Sequence, residues 1–236
     1  MHQKKYRSIE GMFLVEGEKS VLETVRSDFS VHLLVGTESF FHKHALELRS
    51  FQGQQIQVTQ NQLESLGTYK SNKDALIVAK MRDERVGSLD ENELAIALDD
   101  VKDPGNLGTI IRIADWYGIK KIILSPQSAE LYNPKVIQAS MGSFLRIDWW
   151  YEDLSLALKR LKMPVYGAFL EGENLHQLKS IQPGIILMGN ESKGISKELE
   201  GMVTKKITIP AFGVAESLNV AIATAVITDT MKRLLT

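Results

Sequence analysis

Three short segments of this 236-residue chain combine glycine with polar side chains that packing alone would not demand. The first runs Asp99-Asp100-Val101-Lys102-Asp103-Pro104-Gly105-Asn106-Leu107-Gly108 into a helical stretch at 107–117. Asn106 stands where an N-cap belongs. Leu107, Ile110, Ile111, Ala114 and Tyr117 form the apolar stripe, with Arg112 opposite, alongside Gly108 and Asp115. An arginine on such a face is usually just solvated, but one to two turns from a helix N-terminus it sits where anions bind readily. The second segment is Gly189-Asn190-Glu191-Ser192-Lys193-Gly194, between an apolar strand and an N-cap at Ser196. The third is Ile209-Pro210, a glycine-containing loop, then Glu216-Ser217-Leu218-Asn219. Ser217 reads as the N-cap of a long helix at 218–233 that is nearly all-apolar from Leu218 to Ile227. Asn219 in that helix needs hydrogen-bond partners, since an unpaired buried amide costs about 1–3 kcal/mol.

Other chemistries find no footing. The G-x-x-x-x-G-K-[ST] and G-x-G-x-x-G phosphate and dinucleotide loops are absent, and so is the G-x-S-x-G nucleophile elbow. Histidines 2, 32, 42, 44 and 176 do not cluster, so no metal site is expected. With no cysteine there is neither a disulfide framework nor a thiolate.

The elements around the three segments imply an α/β fold. Apolar runs of strand length occur at 94–98, 121–124, 165–169, 185–188 and 207–209. Continuous rather than alternating apolarity suits a parallel sheet covered on both faces. Helical stretches at 107–117, 134–140, 154–161, 197–202 and 218–233 lie between or after them. In open α/β sheets ligands bind beyond the carboxyl ends of the strands, which is where the three segments fall. Earlier in the chain, strands at 31–35, 55–58 and 76–79 alternate with helices at 19–26, 39–49 and 61–69. A polar stretch at 82–93 separates the halves as an exposed linker. The composition is ordinary, with 44% hydrophobic and 24% charged residues and a net charge of −1. Neither half has the basic excess of a small nucleic-acid-binding domain, so any polyanion site must be a local patch. No run reaches the ~18–20 apolar residues of a membrane span, and the start lacks a signal peptide's apolar core. An intracellular, cytoplasmic protein is expected.

At these segments the chain resembles the SpoU (TrmH-like) branch of the SPOUT RNA methyltransferases. The residues are Asp103-Pro104-Gly105-Asn106-Leu107-Gly108-Thr109-Ile110-Ile111-Arg112-Ile113-Ala114-Asp115, then 189–194, then Ile209-Pro210 with Glu216-Ser217-Leu218-Asn219-Val220, helped by 133–143. Three motifs in the right order make the resemblance specific over about 94–236. The first part, with Phe13-Leu14-Val15-Glu16-Gly17, is similar to the substrate-binding domain preceding many such enzymes. The resemblance implies a catalytic domain at 93–236, its sheet tied into a trefoil knot, after a small α/β (L30e-like) RNA-binding domain at 1–85. It implies a homodimer that binds S-adenosyl-L-methionine (AdoMet) and methylates a ribose 2′-hydroxyl of rRNA or tRNA. Asn106, Arg112, Glu191, Ser217 and Asn219 would form the catalytic constellation, and backbone at Gly189, Ile209 and Leu218 would hold the adenosyl part.

Ala221 and Gln138 depart from the family pattern, which has a second serine and a basic residue there, and Lys70-Ser71-Asn72-Lys73-Asp74 replaces its usual end to the first domain. A catalytically idle RNA-binding protein and an enzyme of another nucleotide are the competing readings. The constellation speaks against the former and the missing dinucleotide fingerprint against the latter. Lys4, Lys5, Arg7, Lys70 and Lys73 are the basic groups expected to meet RNA in the first domain.

Overall fold

The computed structural model describes residues 1–68 and 74–235; Tyr69, Lys70, Ser71, Asn72, Lys73 and Thr236 lie outside it. The chain divides into two compact units, residues 1–83 with 130–145 and residues 84–129 with 146–236. Residues 130–145 thus leave the second unit's chain path and pack with the first.

The first unit carries α1 (Lys4–Glu10), β1 (Met12–Glu16), α2 (Glu18–Val25), β2 (Val31–Gly36), α3 (Glu38–Lys43), β3 (Gln54–Gln57), α4 (Gln60–Leu66) and β4 (Ala75–Lys80). The sheet order is β1-β4-β2-β3; β4 is antiparallel to β1 and β2, while β2 and β3 are parallel. Phe13, Phe29, Tyr132 and Phe144 form an aromatic core with centroids 4.4–5.9 Å apart. Arg7 is 2% exposed. Its guanidinium donates to both carboxylate oxygens of Glu130 and to the carbonyls of Met1 and His2. Every donor it spends is internal, so Arg7 is not the RNA-facing cation expected from sequence; Lys4 and Lys5 are exposed.

The second unit holds β5 (Leu94–Leu98), α5 (Pro104–Trp116) and β6 (Lys121–Leu124); α6 (Pro134–Ser140) belongs to the first unit. It continues with β7 (Asp148–Tyr151), α7 (Leu154–Leu161), β8 (Val165–Asn174), β9 (Gly184–Met188), α8 (Lys197–Glu200), β10 (Lys205–Thr208) and α9 (Val220–Leu235). All six strands are parallel, in the order β10-β8-β9-β5-β6-β7. Central β5 and β9 are buried at every position, as their unbroken apolar sequences require. The linker residues 84–93 belong to this unit, where Gly87 lies against the buried ring of Trp150. Among the described residues no helix is long and apolar enough to cross a membrane, and no group of three acidic or histidine side chains is placed to hold a metal.

Candidate active site

The neighbouring central strands β5 and β9 end together, and the loops that leave them are tied to each other. The Asp99 amide donates to the Met188 carbonyl at 2.9 Å, and Asp99 Oδ2 accepts from the Ser196 amide at 2.8 Å. Asp100 adopts a left-handed conformation (φ 57°). Its carbonyl accepts from Asn190 Nδ2 at 2.7 Å. Asn190 Oδ1 in turn accepts the amides of Ser192 and Lys193, and its backbone closes a two-bond bridge with Gly194. This tight turn folds directly over the strand end. A Cβ on Gly189 would lie 2.2 Å from backbone atoms of Gly194 and Ile195, so only glycine fits.

Asp103 caps α5, its side chain accepting the Asn106 amide at 2.8 Å, and Pro104 takes the first helical position. Asn106 is therefore not the cap expected from sequence. It is the third helical residue, and its side-chain amide is free for other work. Asn106 Nδ2 donates to Glu191 Oε1 at 3.0 Å, and the Asp103 amide points to the same oxygen at 3.4 Å.

The third segment completes the chain of contacts. Asn219 Nδ2 donates to Asn106 Oδ1 at 2.9 Å. Asn219 Oδ1 accepts the amides of Ala221 and Ile222, which makes Asn219 the N-cap of α9. The helix accordingly starts at Val220, and Ser217 stays in the exposed loop before it. The expected cap at Ser217 is two residues early because a serine and an asparagine both suit that position locally. The Asn219 side chain thus has partners on both sides.

Helices α5 and α9 run side by side in one direction. Their starts meet at Asn106 and Asn219, and near their ends the Tyr117 hydroxyl donates to Asp229 at 3.4 Å. Burial, with Asp229 beside it, pushes the Tyr117 phenol above its usual range. The α5 N-terminus, carrying about half a positive charge, therefore lies beside the Glu191 carboxylate, and the start of α9 is joined to it through Asn106. Arg112 projects from an exposed turn of α5, with no hydrogen bond or ion pair among the described residues. Gly108, expected near it on the polar face, is buried instead.

The structure thus brings Asn106, Glu191 and Asn219 into one hydrogen-bonded line and leaves Arg112 and Ser217 exposed without contact to it. Gly189 follows β9, Ile209 follows β10, and Leu218 is half-exposed just before the Asn219 cap. Sequence reasoning passed over Asp103 and Asn190, which hold the line in place. The Asp-Pro pair before a helix and the Gly-Asn turn were their signals.

The loop 209–218 makes no backbone-to-backbone hydrogen bond among the described residues, so its amides and carbonyls are open to a ligand. Such a backbone-lined edge fits an adenosine-bearing group, whose base offers both donors and acceptors.

A family model described as the SpoU rRNA methylase family matches residues 93–229. The chain belongs to the SpoU rRNA methylase family. A second model, of an MRM3-like substrate binding domain, matches residues 1–77. Over 231 residues this SpoU protein is 28% identical to the 23S rRNA (guanosine(2553)-2′-O)-methyltransferase RlmP of Bacillus subtilis, covering 96% of this chain and 91% of the relative. A TrmH-family structure from Porphyromonas gingivalis superposes with a TM-score of 0.83 at 35% identity, covering 98% of this chain and 94% of that one. An AdoMet-bound rRNA methyltransferase from Sinorhizobium meliloti superposes with a TM-score of 0.87 at 28% identity, covering 100% and 92%.

Proposed function

We infer that this protein is an AdoMet-dependent RNA methyltransferase that modifies a ribose 2′-hydroxyl of rRNA or tRNA. The observation that carries this reading is the Asn106–Glu191–Asn219 line, built where three family segments meet. Named relatives modify 2′-hydroxyls in 23S rRNA and, in Aquifex aeolicus, at guanosine 18 of tRNA.

When bound, AdoMet supplies an already activated methyl group. The protein's share is to align an in-line attack and to let a weakly acidic hydroxyl lose its proton. Backbone at Gly189, Ile209 and Leu218 holds the adenosyl part. Glu191 fixes the Asn106 amide from one side and Asn219 fixes it from the other, so the unused N–H bonds of both amides have set directions. Ser217 and Asn219 bring their polar groups to the reacting ribose. Arg112 clamps the RNA phosphate beside it, a charge-assisted task suited to a guanidinium. With a pKa above ~12 it is not the base; the proton passes to that phosphate or to water.

The same reading places the substrate RNA on the first domain and gives the carboxyl-terminal part of the sheet its trefoil knot. It makes the protein a cytoplasmic homodimer. Leu218 and Ile222 are half-exposed and Phe212 and Val214 stand fully in solvent, an apolar run that a second copy would cover. Light scattering on the 26.4 kDa chain should give twice that mass at micromolar concentration, and a monomer would contradict the dimer. Titration calorimetry with AdoMet and with NAD tests the cofactor. Heat from AdoMet alone is expected, and no AdoMet binding at millimolar concentration would overturn the reading.

A further inference from the structure

In the first domain a second place has the build of a ligand site. Strands β2 and β3 are parallel and end side by side at Gly36 and Gln57. Beyond their carboxyl ends opens a cleft of about 490 Å³, lined by residues that include Thr37, Glu38, Ser39, Gln57, Thr59 and Gln62. Such a volume lies within the ~300–1,000 Å³ of small-ligand sites, and the crevice beyond parallel strand ends is where α/β sheets bind ligands. Its lining sets hydroxyl, amide and carboxylate groups among apolar surface that includes Val58, with no lysine, arginine or histidine. A phosphate would find no counter-charge there and would meet Glu38.

The polar groups are not all spent on the fold. Thr59 and Gln62 satisfy each other in the capping box of α4, and the Thr37 oxygen accepts the Phe40 amide. The Glu38 carboxylate, the Ser39 hydroxyl and the Gln57 amide have no hydrogen-bond partner among the described residues. Strand β3 is exposed at every position, so Gln57 is reachable from solvent. A side-chain amide reads a base edge through paired donor and acceptor, and a carboxylate accepts from an exocyclic amino group. The amino edges of adenine and cytosine face the deep, narrow major groove of an A-form duplex, so a side chain reaches them in unpaired RNA.

We propose that this cleft receives an unpaired adenine or cytosine, its exocyclic amino group read by Gln57 and Glu38, and so helps select the RNA. The proposal rests on the RNA methyltransferase reading. Contact through uncharged or anionic groups releases no counterions, and this separates it from binding by Lys4 and Lys5.

The test measures affinity of the full chain for fluorescent oligo(rC), oligo(rA) and oligo(rU) across a range of salt, beside AdoMet binding in the same samples. Oligo(rC) or oligo(rA) is expected to bind at least fivefold tighter than oligo(rU). Gln57→Ala and Glu38→Gln should each remove most of that preference while leaving the slope of log affinity against log salt and the thermal midpoint unchanged. Equal affinity for all three oligonucleotides, or an unaltered preference in both variants, would overturn the base site. A change in slope on Gln57→Ala would overturn it too. Retained AdoMet binding then marks a failure of the cleft alone, whereas its loss from the unmodified chain marks a failure of the underlying reading.

Discussion

Asn219 donates its side-chain amide to Asn106 Oδ1 at 2.9 Å while its own side-chain oxygen caps α9. One side chain thus starts a helix and orients a residue on the neighbouring one. The two tasks separate by substitution. Asn219→Ala removes the cap and the donor, costing about 0.5–2 kcal/mol and most of the turnover. Asn219→Ser keeps a capping oxygen but no amide donor, so stability should return while turnover does not. Urea unfolding and methyl-transfer assays on both variants check this; recovery of turnover in the serine variant would show that only the cap matters.

Arg112 is exposed and has no partner among the described residues, so the phosphate clamp proposed for it can be tested without disturbing the fold. Arg112→Lys keeps the charge and loses the fork. AdoMet affinity should hold, and turnover should fall roughly 10²–10³-fold, the size expected when one preorganised donor is lost. Near-normal transfer by the lysine variant would remove Arg112 from the mechanism.

Gly189 and Gly194 answer to different constraints. The methyl group of Gly189→Ala would meet backbone 2.2 Å away and force the turn open. A cost of about 1–3 kcal/mol and a marked loss of AdoMet affinity are expected. Gly194→Ala has open space but a φ of +69°, so a strain of about 1–2 kcal/mol should appear with a smaller loss of affinity. Calorimetry and unfolding curves distinguish them.

Much of this was legible beforehand. β5 and β6 lie where their apolar runs are, residue for residue, because a strand buried on both faces leaves no other pattern. β1 and β7 were not read as strands; Asp148-Trp149-Trp150-Tyr151 in β7 holds no aliphatic run. The expected helix at 39–49 breaks after Lys43, where buried His44 contacts Glu18 and Glu47 through its two ring nitrogens. A local helical pattern cannot register contacts with a residue 26 positions away. The site's three segments were visible as motifs and Ser196 precedes α8 as expected, but the caps of α5 and α9 were misplaced because several Ser, Asn and Asp residues compete locally for one position. Nor could residues 130–145 be assigned to the first unit, since nothing local says which core an apolar residue joins.

The basic residues near the start should behave in two ways. Lys4→Ala and Lys5→Ala should each flatten the salt dependence of RNA binding by about one unit of log–log slope without loss of stability. Arg7→Met leaves Glu130 without its buried partner and should cost about 3–5 kcal/mol. An Arg7 variant of full stability but weakened RNA binding would reverse these assignments.

Asp153 caps α7, and its hydrogen bond from Ser155, with the Leu156 amide, holds its carboxyl below the usual range. A depressed folded-state pKa contributes stability above the unfolded value of about 4, lost as pH falls through the folded value. Asp153→Ala should therefore lower the thermal midpoint at pH 7, by a difference that shrinks as pH falls below the ordinary carboxylate range of about 4. A difference that persists at low pH would assign the effect to packing.

The central claim is a methyl group on a ribose 2′-oxygen. Total RNA from cells lacking this protein, incubated with the purified protein and AdoMet, can be mapped nucleotide by nucleotide for 2′-O-methylation. One new mark in rRNA or tRNA is predicted, absent when Glu191→Ala replaces the unmodified protein. No new 2′-O-methyl mark, or a methyl group found on a base instead, would contradict the account.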